Sequence, residues 1–281
     1  MRILVKNMKR EGNSMKKICA LLLIFAMVFC FAACGKKEES TSEDLLAEIK
    51  SRGYITIATE GNWAPWTYHA EGSDELTGFD VEMGRLIAEA LGVEARFEET
   101  QWDSILAGID AGRFDIACNG VGYLPERAEK YYMCGPYVYM GTVLVVRGDN
   151  TEINSFEDLA GKTTANTASS TYALMAEKYG ATVEPVDDLD ATIRLLLDGR
   201  IDGTVNAAGS IADYLSRFPD ANIRIAASSN DEVEEDCIPV AKTDYAKPLA
   251  DEINKILEDL RANGKLAELS EKFFGADYTN K

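Results

Sequence analysis

The stretch Cys118-Asn119-Gly120-Val121-Gly122-Tyr123-Leu124-Pro125-Glu126-Arg127 holds groups suited to binding an anion. The pattern predicts a strand over 114–117 running into it and a short helix from Pro125. Gly120 and Gly122 let the backbone turn so that several N–H groups face one way, and Asn119 adds an amide beside them. Arg127 then offers a planar guanidinium fork that fits a carboxylate. A strand-to-helix loop ending in a surface arginine is the plain alternative, and the local sequence admits both.

Other residues extend this chemistry. Ser169, Ser170 and Thr171 stand where a helix should begin, and hydroxyls and N–H groups there favour a carboxylate. Capping of that helix explains them equally well. Trp63, Trp66 and Trp102 fall in or just after strand-end segments, where large rings can clamp the apolar part of a small ligand. Core packing is the alternative for each. Glu60 follows the first strand and can meet a positive ligand group, or it is an exposed loop carboxylate. Asn206 ends a strand in the second half and can hydrogen-bond a polar ligand group. His69 is the only histidine, so a histidine metal centre or a Ser-His triad is poorly supported. Cys118, Cys134 and Cys237 match no metal-ligand spacing and read as buried free thiols, with one disulfide as the alternative.

The elements that must position these residues alternate. Strands are predicted over 55–59, 93–97, 114–117, 143–146, 162–165, 182–186, 202–205, 223–226 and 238–241. Apolar residues at helical spacing, such as Phe79, Met83, Leu86, Ile87, Ala90 and Leu91 before Gly92, mark helices between them. Ser155 and Asp158 carry the spacing of a capped helix start. The acidic run Asp231–Asp236 reads as a solvated surface loop. This is an α/β pattern on mostly parallel sheets. An internal echo divides it. Gly112-Arg113-Phe114-Asp115 and Gly199-Arg200-Ile201-Asp202 each follow an apolar helix and open a strand. With the surrounding order also repeated, two similar lobes are expected, with a cleft at the carboxyl ends of their strands.

The chain has 281 residues, 46% of them hydrophobic, with a formal net charge of −18. That is ample for a core, and it argues against nucleic acid as a partner. Lys16-Lys17 precede an apolar run from Ile18 to Ala33, too short to span a membrane, ending in Ala32-Ala33-Cys34-Gly35. A basic start, an apolar segment and small residues before the break predict an export signal. The residues around Cys34 resemble a bacterial lipobox, which implies cleavage before Cys34 and lipid on it, anchoring the protein outside the cytoplasm at the cell membrane. Lys36 to Ser42 is polar and reads as a flexible tether.

The motifs Gly61-Asn62-Trp63-Ala64-Pro65-Trp66-Thr67-Tyr68, Leu76-Thr77-Gly78-Phe79-Asp80-Val81-Glu82, Gln101-Trp102-Asp103-Ser104, Gly112-Arg113-Phe114-Asp115 and Pro125-Glu126-Arg127 together resemble the solute-binding proteins of polar amino-acid ABC importers (family 3), closest to the cystine/cysteine-type branch. Thr204-Val205-Asn206, Asp213-Tyr214-Leu215 and the run from Leu266 to Gly275 fit it too. The resemblance implies a two-lobed, type II periplasmic-binding-protein fold, each lobe a mostly parallel sheet flanked by helices. Two strands, near Gly141–Val146 and Cys237–Ala241, would join the lobes and close them on ligand. The parts would be a signal over 1–33, a tether over 34–43, the first lobe over 44–141 and 241–281, and the second over 142–240. The resemblance also implies an amino-acid ligand, a membrane permease as partner, a monomer, and neither cofactor nor metal. Arg127 would hold the α-carboxylate with the Asn119–Gly122 backbone and Ser169–Thr171, while Trp63, Trp66 and Trp102 would face the side chain, with Glu60 nearby.

Two departures stand out. Leu124 replaces the usual Thr or Ser. An Asp that pairs the ligand α-ammonium should fall near Ala207, where none exists, and a buried ammonium without a carboxylate is costly. Either Asn206, Glu60 or another acid compensates, or the ligand is not a standard free amino acid. The alternatives are a dehydratase-type enzyme on the same lobes, which needs a positioned acid or base, and a ligand-sensing domain, which needs a signalling segment near the carboxyl terminus.

Overall fold

The protein is described by a computed structural model over residues 43–281, with the side chains of residues 230–232 outside the description. The expected export signal, Cys34 and the tether up to Ser42 lie outside the described residues. The first lobe opens with α1 (Leu45–Arg52), whose N-terminus is capped by the Asp44 carboxylate on the Ala47 N–H at 2.8 Å. Strand β1 (Tyr54–Thr59) follows. The tryptophan-bearing loop then folds into a small antiparallel sheet of β2 (Asn62–Trp63), β3 (Thr67–His69) and β4 (Leu76–Thr77). Helix α2 (Phe79–Leu91) buries Phe79, Met83, Ile87 and Leu91, four residues apart, so that one apolar stripe faces the sheet. Then come β5 (Glu94–Glu99), α3 (Trp102–Asp110), β6 (Ile116–Ala117), β7 (Val121–Gly122) and α4 (Pro125–Lys130).

A long strand, β8 (Tyr131–Arg147), carries the chain into the second half. There β9 (Thr163–Asn166), α5 (Thr171–Lys178), β10 (Thr182–Pro185), α6 (Leu189–Leu197), β11 (Gly203–Ala207) and α7 (Ala208–Arg217) repeat the alternation. The return is β12 (Ile223–Ala241), and α8 (Lys247–Ala262) and α9 (Lys265–Phe274) close the fold. The strand order is β10-β9-β11-β8-β12-β6-β1-β5. Two parallel groups, β6-β1-β5 and β10-β9-β11, are joined through an antiparallel ribbon of β8 and β12.

The internal echo is structural. Asp115 accepts the Thr56 N–H at 2.7 Å and its hydroxyl at 2.8 Å, and pairs with Arg52. In the second lobe Asp202 accepts the Thr163 N–H at 2.8 Å. Each aspartate therefore locks the start of the neighbouring strand. Each follows a glycine in the left-handed region, Gly112 at φ 65° and Gly199 at φ 68°, a turn that a side chain would strain.

Three local expectations change. The Ser155–Asp158 capping box is present but starts only a 3₁₀ turn, Phe156–Leu159, because Gly161 redirects the chain into β9. The acidic run Asp231–Asp236 is not a solvated loop. It belongs to β12, with Glu234, Glu235 and Asp236 opposite Met140, Tyr139 and Val138, so Glu234 and Asp236 are buried. Strand pairing overrides the polarity of the run. Residues Cys237–Ala241, expected at the second crossing, lie inside the first group: Ile238–Ala241 pair with Cys134–Tyr131, and Val240 with Ile116. The widest of three register shifts in the ribbon falls between Ser229 and Glu234. Cys118, Cys134 and Cys237 are free and buried.

Candidate functional site

The carboxyl ends of β1, β6, β9 and β11 meet around one cavity between the lobes. The first lobe supplies Glu60, Asn62, Trp63, Trp102 and Gly120. The second supplies Asn166 and Thr167 from the end of β9, Ser170, Thr171 and Tyr172 from the start of α5, Asp187, Asp188, Leu189 and Thr192 around α6, and Asn206 from β11.

Of the residues singled out in the sequence, Glu60, Trp63, Trp102, Gly120, Ser170, Thr171 and Asn206 line this cavity. Trp66, Asn119, Gly122, Ser169 and Arg127 do not; each supports it from behind. Asn119 is fully buried, and its Oδ1 accepts the Glu60 N–H at 2.8 Å while its Nδ2 donates to Glu60 Oε2 at 2.8 Å. It fixes both backbone and carboxylate of Glu60. Trp66 is fully buried, stacked under Trp63 with ring centroids 5.1 Å apart and against Phe274 at 4.8 Å. Its core-packing role is the one observed. Gly120 sits at φ 52°, and a Cβ there would lie 2.7 Å from the Trp63 ring, so both backbone and space require glycine. Its N–H donates at 2.5 Å to Asp80, a carboxyl pushed up to about 7 by complete burial and also held by the Tyr137 hydroxyl at 2.7 Å.

Arg127 is buried beside the cavity rather than in its wall. Its Nη1 donates to the Gly122 carbonyl at 2.7 Å and its Nη2 to the Ser169 carbonyl of the second lobe at 2.8 Å. Its guanidinium lies 5.4 Å from the centre of the Trp102 ring, which faces the cavity and also the Arg127 side. Glu234 and Asp236 supply its negative field, and burial draws its proton affinity down. The arginine thus bridges the two lobes. A second bridge runs from Trp66 Nε1 to Ser210 Oγ at 3.0 Å, and a third contact sets Trp63 edge-on to Tyr172 at 6.4 Å. The lobes are closed on each other.

Ser170 caps α5, its Oγ accepting the Ala173 N–H at 3.1 Å, and Thr171 donates its hydroxyl to Glu234. The first N–H groups of α5 meet the cavity, a setting that favours negative charge. Asn206 turns its Oδ1 onto the Ala207 N–H at 2.9 Å, so the rest of its amide is a donor NH₂. Glu60 is the opposite pole. Burial pushes its carboxyl up to about 7, partly offset by the Asn119 amide and the Trp102 N–H, while Asp188 and Asp103 push it further up.

Asn166, Thr167, Tyr172, Asp187, Asp188 and Thr192 went unmarked in the sequence. The echo contains the signal for some of them. Counting four residues from Asp115 gives Asn119, and four from Asp202 gives Asn206. Likewise Thr56 and Thr163 open strands whose ends deliver Glu60 and Asn166–Thr167.

The chain resembles known proteins over most of its length. Residues 55–276 match the family described as bacterial extracellular solute-binding proteins, family 3. The L-cystine-binding protein TcyA of Bacillus subtilis is 35% identical over 269 residues, covering 94% of this chain and 99% of that protein. The L-cystine-binding protein TcyJ of Escherichia coli K12 is 30% identical, covering 92% and 96%. Among solved structures, an ancestral arginine-binding protein bound to arginine aligns with TM-score 0.73 at 29% identity, covering 80% of this chain and 99% of that one. The L-cystine solute receptor of Neisseria gonorrhoeae, in its unliganded open conformation, is 38% identical, with coverage of 84% and 99%, yet aligns with a TM-score of only 0.58. That neighbour is described as open, whereas the cleft seen here is closed. The chain belongs to the bacterial extracellular solute-binding proteins, family 3.

Proposed function

We propose that this protein captures an amino acid of the cystine or polar class outside the cytoplasm and delivers it to the membrane permease of an ABC importer, held at the membrane by lipid on Cys34. One observation carries the capture step. A closed cavity between the lobes sets helix N–H groups and the Asn206 amide on one side and the Glu60 carboxylate on another, between the Trp63 and Trp102 rings. The ligand carboxylate sits at the start of α5, with Arg127 supplying positive field from beside the cavity and holding the lobes shut. Relatives bearing L-cystine in their names and a neighbour bound to arginine support the ligand class. A thermal-shift screen of amino acids, including cystine and cysteine, tests the reading, because a ligand of the closed form raises the melting temperature by mass action. Labelled-palmitate incorporation, lost in Cys34→Ala, tests the anchor.

Glu60 also gives the enzyme reading one foothold, since a carboxyl titrating near neutrality in a cleft suits general acid or base work. A structural neighbour at 26% identity is described as an ancestral amino acid-binding protein, a precursor of cyclohexadienyl dehydratase. The family is one of solute-binding proteins, so incubation with prephenate is expected to give no turnover.

A further inference from the structure

We propose that Glu60 of the first lobe and Asn166 of the second together form the seat for a positively charged amine of the ligand. This rests on the proposed capture of an amino acid and specifies which end of it goes where. The first ground is charge. Glu60, Asp187 and Asp188 line the cavity, and among the described residues no Lys, Arg or His does. Closure brings Asp188 of the second lobe close enough to Glu60 to oppose its ionisation. Asp188 also caps α6, its Oδ1 accepting the Ala191 N–H at 2.6 Å, yet its charge still opposes that of Glu60, and a cation between them would relieve that repulsion.

The second ground is independent of charge. Asn166 is 3% exposed and lines the same cavity. Its Nδ2 is fixed on the Val205 carbonyl at 2.7 Å, which leaves Oδ1 as its acceptor, and Oδ1 has no hydrogen-bond partner among the described residues. A buried acceptor left unpaired is costly, so this site calls for a donor from the ligand. An ammonium group has three N–H donors and satisfies a carboxylate and an amide oxygen together.

The third ground is elimination at the neighbouring position. Ala207 is fully buried and apolar, and the Asn206 oxygen is already turned to the Ala207 N–H. Ala207 offers no side-chain acceptor, and Asn206 Oδ1 has one lone pair already engaged while its NH₂ is free to donate. The end of β11 therefore offers mainly a donor, and the stronger acceptors lie at the ends of β1 and β9.

The test is calorimetry on the mature protein with L-cystine, with cystamine, which keeps the amines and lacks the carboxylates, and with dithiodipropionate, which keeps the carboxylates and lacks the amines. L-arginine and L-glutamine are run beside their Nα-acetyl forms. Amine-free or amine-blocked forms should bind at least about 30-fold more weakly than their parents, and Glu60→Gln should weaken the parents similarly, as expected for unpairing a buried charge. Parents and amine-free forms binding within about 3-fold of each other, or Glu60→Gln leaving affinity unchanged, would overturn the seat while leaving amino-acid capture standing. Binding of cystamine without any amino acid would support the seat and overturn amino-acid capture. No binding across the panel would overturn both. The apo melting temperature of Glu60→Gln reports separately on folding.

Discussion

Two groups of carboxylates withdrawn from solvent, half-buried Glu60 and the buried pair Glu234 and Asp236, have surroundings that set them to different tasks. Glu60 opens onto the cavity, held by the Asn119 amide and the Trp102 N–H, and no cation among the described residues lines the cavity with it. Glu234 and Asp236 sit two residues apart on β12, sealed from solvent, with Arg127 as the cation that offsets them. Burial raises the proton affinity of all three. Arg127 acts on the sealed pair only through its field, since Glu234 Oε2 and both Asp236 oxygens have no hydrogen-bond partner among the described residues; on the proposal above, the cavity carboxylate takes its partner from outside. Arg127 stands between the two groups, bonded to the Gly122 and Ser169 carbonyls beside the cavity.

The comparison breaks most visibly at Arg127. Arg127→Ala leaves Glu234 and Asp236 without their cation and removes the bridge to Ser169, so urea unfolding at neutral pH should show a loss of about 3–5 kcal/mol. A protein as stable as wild type would remove Arg127 from that role. Gly120→Ala strains a left-handed residue against Trp63 and should cost about 1–3 kcal/mol while also weakening ligand binding. Unchanged melting and binding would show that the loop has room to give.

The acids also predict a pH dependence. Asp80 is raised from 3.8 to about 7, and Asp236 well above its ordinary value. Their contribution is therefore fully present below about pH 4 and is lost as pH rises through the folded-state values, each by at most about 1.4 kcal/mol per pH unit. Asp236→Asn should flatten that slope above about pH 4, where the unfolded-state carboxyl begins to ionise; an unaltered slope would remove Asp236 from the account. The smallest effect is expected for Trp66→Phe, which keeps most of the packing but loses the bond to Ser210, at about 1 kcal/mol. A loss of several kcal/mol would mean that this inter-lobe bond matters far more than the geometry suggests.

Much of this was legible because it is local. The Gly-Arg-x-Asp echo points to two like lobes, and the alternating strand and helix pattern puts Glu60, Trp63, Trp102, Gly120 and Asn206 at or just after strand ends. Asn166 was missed because its role lies in one unpaired oxygen, which only tertiary packing creates. Glu234 and Asp236 were misread because a run of acids signals solvent until pairing with β8 buries alternate residues. Arg127 was seen as a binding group because its fork fits a carboxylate. The same fork accepts two backbone carbonyls when the lobes bring them within reach.

The account is tested most directly by solving the structure with a bound amino acid. It predicts the ligand amine within hydrogen-bonding distance of Glu60 and Asn166 Oδ1, and the carboxylate at the first turn of α5. An amine lodged elsewhere, with Glu60 facing the ligand side chain or water, would contradict it.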